Sequence, residues 1–440
     1  MPLKYLCTSS KVDDHFASPE DLSQIPNWAN LNSIGKPQAV IIGTSTSIPR
    51  VPQLDAVAIN DAKSLIISQF GGIAQRMLFR RVSHIEDGLT LRINSSNILL
   101  WTMYLKFKVL QVVSTGSNAQ HYLSWIIRFS KQLLDCSPPT QPLSSGWNAE
   151  LAGLEDLAFT VCMIADTSTG YSLFKMCAPA FLRSATRFPE LWSENSAIAI
   201  PKAIQCRDHE IRHFAFHDTV FALALGILPL INYDTTTPWV DEGKECGLEF
   251  VYGVPVGLIL QIAKVNSSRA TQLIGRAAPH QDEWREIESH IRRWNPSIDR
   301  TEGPSNTIVK FVVQECWRQT TLIYLYMCMC KVDSADPRVE SAVRQVIQLA
   351  SIMETFHPLK SHLFIPCLVA GVAARHERHR ALICNKISAL SNSDALALGV
   401  RGADFIPVLD HLWHSAASSG KPVTWEDYVQ SRCAVLLIAS

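Results

Sequence analysis

Residues 308–331 read IVKFVVQECWRQTTLIYLYMCMCK. Wound as a helix, this stretch puts apolar side chains on nearly every face, and a helix without a polar face has to be enclosed by protein. Enclosing it takes further helices. The stretch therefore predicts an all-α fold: a large domain of packed antiparallel helices with negligible β-structure. Glu315 and Arg318 stand one turn apart within it and read as a structural ion pair rather than an acid–base pair. Cys328 and Cys330 fall on different faces of the helix, which makes them a poor metal chelate.

The next segment, DPRVESAVRQVIQLASIM (336–353), is of the other kind. Asp336 is suited to cap a helix and Pro337 to open it. Val339, Val343, Val346, Ala350 and Met353 then recur every three or four residues, with Glu340, Arg344 and Gln348 on the opposite face. That spacing predicts a half-buried amphipathic helix. Helical patterning extends over 56–80, 97–114, 119–135, 148–164, 169–184, 206–228, 248–267, 280–294, 361–390 and 404–417. The only strand candidates are AVIIGTSTSI (39–48) and LTLRIN (89–94). Stretches rich in Pro, Ser and Gly at 136–146, 234–245 and 295–306 are short enough to be loops within one body. Residues 51–430 thus read as one helical domain, after a poorly defined segment 1–50 and before a tail 431–440.

Composition agrees. Hydrophobic residues are 47% of the 440 and charged residues 18%, below the roughly 25% of an average soluble domain, so a large core can be filled. Forty basic and forty acidic side chains cancel, which argues against a broad phosphate-gripping surface and against a polybasic membrane binder. The opening stretch MPLKYLCTSSKVDDHF has no apolar run of signal-peptide length. The most apolar window, Phe214–Ile231, carries His217 and Asp218 near its start and Pro229 near its end, and reads as a buried core helix rather than a membrane span. A soluble protein is expected. The twelve cysteines are scattered singly apart from Cys328 and Cys330, and free thiols are expected.

HEIRH, residues 209–213, matches the H-E-x-x-H pattern of zinc hydrolases. On a helix, His209 and His213 would share a face and could bind one zinc, with Glu210 activating the bound water. The third ligand is the difficulty. Phe216 and Thr219 stand where the long form of the motif has Gly and His, and His217 is at the wrong spacing. Glu242, Glu245 and Glu249 are the available carboxylates, but none lies in a second-ligand motif, and Arg212 places a cation inside the pattern. The competing reading is the partly exposed first turn of the helix that runs on into 214–231. RHERHR (375–380) reads as a basic, solvated helix face. No nucleophile elbow, phosphate-binding loop or dinucleotide fingerprint is present.

Six stretches fall in a recognisable order: LAGLEDLAFTVCMIADTSTGYSLFKMCAPAFLRSATRFPELW (151–192), HFAFHDTVFALALGILPLINYDTT (213–236), LEFVYGVPVGLILQIAKVNS (248–267), ECWRQTTLIYLYMC (315–328), FIPCLVAGVAARHERHRALI (364–383) and LDHLWHSAASSGKPVTWEDYV (409–429). Together they resemble, over about residues 50–430, the fungal-specific transcription factor domain, the helical regulatory half of binuclear zinc-cluster transcription factors. The resemblance implies a non-enzymatic nuclear regulator acting through protein contacts, as a homodimer or with transcription cofactors, and open to a small-molecule effector. It implies no cofactor and no catalytic residue, gives HEIRH no metal, and makes Gly253 and Pro255 of the YGVP turn structural. The family's DNA reader is a six-cysteine cluster opening Cys-x2-Cys-x6-Cys. Here the first 135 residues hold only Cys7, and no pair has Cys-x2-Cys spacing. The expectation is a regulatory domain that does not bind DNA specifically by itself and does not engage membranes.

Overall fold

The structure, a computed structural model, describes residues 56–80, 85–135, 148–239, 247–275, 282–296, 304–353, 358–390 and 399–438. These fall into two units. Of the first, ending at Ala62, only the opening turns of α1 (Ala56–Met77) are described; the second, Lys63–Ser440, is a helical body.

The stretch 308–331 is α13 (Pro304–Cys328). It packs against α11 (Val256–Leu273), α12 (Glu283–Arg293), α14 (Pro337–Ile352) and α15 (Phe364–Val372). Trp317, Tyr324 and Tyr326 are among the largest fully buried side chains. Glu315 and Arg318 do form an ion pair at 2.7 Å. Near the start of the helix Ile308 and Phe311 are 54% and 41% exposed. The amphipathic reading of α14 holds: Asp336 caps it through the amide of Arg338, and Val339, Val343, Val346 and Ala350 are buried.

Two further helices are enclosed almost as fully. One is α5 (Ala149–Ile164), which packs against α3 (Asn97–Ser114), α4 (Leu123–Asp135), α6 (Thr167–Lys175) and α7 (Cys177–Ala185). The other is α9 (His209–Leu225), which packs against α5, α7, α8 (Ile200–Gln205), α11 and α15. Among the described residues, β-structure is limited to a parallel pair of two-residue strands, β1 (Ile198–Ala199) and β2 (Tyr233–Asp234), plus one isolated bridge. No described helix is long and apolar enough to cross a membrane.

Some expected elements differ. LTLRIN lies inside helix α2 (Ile85–Ser95) instead of forming a strand. Its alternation is too short to outweigh the local helix signals: Glu86 and Asp87 in the first turn and Arg92 in the last complement the helix dipole. Residues 39–48 lie outside the described residues. The expected helix 248–267 is two helices, α10 (Gly247–Tyr252) and α11, broken at Gly253, where φ is +66°. A β-carbon there would lie 2.5 Å from the Phe79 ring. The expected helix 361–390 is a 3-10 turn (Pro358–Leu363), then α15, then α16 (Glu377–Ser388), so RHERHR straddles a break. It is not a uniformly solvated face either, because Arg380 is buried and donates to the carbonyls of Ala374 and Ala417.

The C-terminal helices close the body. In α17 (Gly402–His414), the Trp413 indole donates to the Gly371 carbonyl at 3.0 Å. TWEDYV opens α18 (Trp425–Val435). Thr424 and Asp427 form a reciprocal capping box. Trp425 packs edge-on to Tyr324, and Glu426 pairs with Arg269. The Tyr428 hydroxyl donates to the Ala224 carbonyl. Arg432 donates to Leu225 O at 2.8 Å and Arg269 to Gly226 O at 3.0 Å. Carbonyls at the end of α9, which have no partner within the helix, are thus satisfied by two arginines and a tyrosine, and both cations also suit the negative end of the helix dipole.

Candidate functional site

The most concentrated set of titratable side chains lies at the opposite end of α9, around HEIRH. Asp208 caps this end, accepting from the amides of Glu210 and Ile211 at 3.0 and 3.2 Å. That cap fixes the helix start and aims the next residues inward, toward α5. The first turn is the partly exposed one expected: Glu210 and Ile211 are buried, while His209 and Arg212 are half-buried. Glu210 meets Arg92 of α2, whose guanidinium donates to it at 2.7 Å and to Asp156 of α5 at 3.1 Å. Lys106 of α3 reaches the other Asp156 oxygen at 2.8 Å. Four helices are joined by this run of charges.

His213, one turn on, faces Glu155 of α5, with Nδ1 3.0 Å from Oε2. Its Nε2 is hydrogen-bonded to the hydroxyl of Tyr252, at the end of α10. The His217 Nδ1–H donates to the His213 carbonyl at 2.9 Å. The His217 ring lies 4.5 Å from Phe159 and stands perpendicular to Tyr252 at 5.2 Å. The backbone of Tyr252 is used as well, since His362 Nδ1–H donates to its carbonyl at 2.9 Å.

Protonation follows from burial and charge count. Burial pushes Glu155 well above the ordinary carboxylate value, and the nearby Glu210 and Asp156 push the same way. Burial also raises Glu210, to about 7, against the pull of Arg92. For Asp156 burial acts upward too, but Lys106 and Arg92 overcome it and leave the group below its ordinary value. Burial holds His209 and His217 down at about 3 and His213 well below the usual range. Two cations thus face Asp156 and Glu210, whereas Glu155 meets only a neutral imidazole. A buried carboxylate without a cation keeps its proton. His213 thus bridges Glu155 and Tyr252 through its two ring nitrogens. The remaining oxygen of Glu155, Oε1, has no hydrogen-bond partner among the described residues.

The carboxyl–imidazole–phenol chain has the sequence of groups of a proton relay, but Tyr252 is only 4% exposed, so its hydroxyl faces protein. Both ring nitrogens of His213 are engaged. Among the described residues no group of three His, Cys, Asp or Glu side chains is placed to hold a metal ion. Of the carboxylates available as a third ligand, Glu249 accepts from the Val256 amide at 2.7 Å and so caps α11; Glu242 and Glu245 lie outside the described residues.

HEIRH supplies three members of this cluster, and reading the sequence missed Arg92, Lys106, Glu155, Asp156 and Tyr252. A signal existed for two of them. Glu155 and Asp156 are adjacent acids in the middle of an otherwise apolar helix, LAGLEDLAFTVCMI, and charges so placed are buried and paired.

No curated protein and no solved structure matches the chain. The family model described as fungal specific transcription factor domain matches residues 202–438. The match begins within α8, later than the expected start near residue 50, and takes in α9 with its capping partners, the YGVP turn, α13 and TWEDYV. It spans more than half of the 440 residues, and over it the fold is helical: the chain belongs to the fungal specific transcription factor domain family.

Proposed function

We propose that this chain is the regulatory domain of a fungal transcription regulator, acting in the nucleus through protein contacts, as a homodimer or with transcription cofactors, rather than as an enzyme. The family match over 202–438 carries the reading. The missing Cys-x2-Cys spacing and the balanced charge support a domain without its own sequence-specific DNA contacts, since base readout needs an element that enters a groove. The test is to tether the chain to an unrelated DNA-binding domain at a reporter promoter in a fungal host. A change in reporter output is expected. An inert fusion, or nanomolar sequence-selective DNA binding by the untethered chain at physiological salt, would overturn the reading.

For His209, Glu210 and His213 we propose a structural role, tying α9 to α2, α5 and α10. The engaged nitrogens of His213 support it. Protein purified without chelator should contain far less than one zinc per chain. Stoichiometric zinc that disappears in His213→Ala would establish the hydrolase reading instead.

A further inference from the structure

We draw no further inference here: the strongest candidate, the exposed apolar surface patch that Ile308 and Phe311 form at the start of α13, carries none because nothing in the structure shows what covers it.

Discussion

Glu155 shows how far one residue's surroundings can set its behaviour. Burial and the nearby Glu210 and Asp156 raise its folded pKa well above the ordinary 4.5, so above that pH the folded state holds a proton that the unfolded state releases. The stability gained this way is complete below about 4.5 and is lost as pH rises. The histidines act in the opposite sense. His209 and His217 are held at about 3, so their contribution is present above their ordinary 6.5 and is lost as pH falls. Between 4.5 and 6.5 the two effects oppose each other, and above about 7 the histidines are neutral in both states. From pH 7 to 8 the parent protein should therefore lose stability, and Glu155→Gln should lose distinctly less, as read by denaturant midpoints. Equal slopes would show that Glu155 is ionised in the fold. Gly253 is a second such position. Gly253→Ala would force an L-residue to φ +66° with its β-carbon against the Phe79 ring, and a destabilisation of about 2–4 kcal/mol is expected from equilibrium unfolding.

Among the elements, α9 is the one most dependent on others, because its two ends are completed by different parts of the chain. Arg92 of α2 and Glu155 of α5 serve the start. Tyr428, Arg432 and Arg269 serve the end. Tyr428→Phe leaves the shape intact but orphans a buried carbonyl, and should destabilise by about 1–2 kcal/mol. Arg432→Met should do at least as much. Because both act on one helix end, the double variant should fall short of the sum of the singles; strict additivity would show that the two bonds are independent. The helix itself was legible in the sequence, as an apolar run after a polar start. Its capping partners were not, because they are remote in sequence: Arg269 is 43 residues from the carbonyl it serves, and Tyr428 and Arg432 are 204 and 207 residues from theirs.

For the whole molecule, what could be read from sequence was what rests on local periodicity. The all-α class, the central α13 and the amphipathic α14 each follow from patterns within one segment. The break at 373–376 did not, because Ala373, Ala374, Arg375 and His376 include no turn residue, whereas the break at Gly253 was signalled by the YGVP turn although the expected helix ran through it. The polar cluster was half visible. HEIRH drew attention by its match to a motif, while Glu155 gained its meaning only when α5 and α9 came together. A far-ultraviolet circular dichroism spectrum should be dominated by helix, and a mainly β spectrum would contradict the fold.

The arrangement at the end of α9 also bears on how the protein is made. A ribosome delivers residues 209–226 long before 424–432, and until the later segment arrives the end of a deeply buried helix lacks two of its three closing partners, Tyr428 and Arg432. The body should therefore stay open to proteases and chaperones until residues 424–432 have emerged, then close in one late step. A nonsense mutation just upstream of Thr424 should therefore produce a protein cleared from the cell almost as thoroughly as one truncated in the middle of α9.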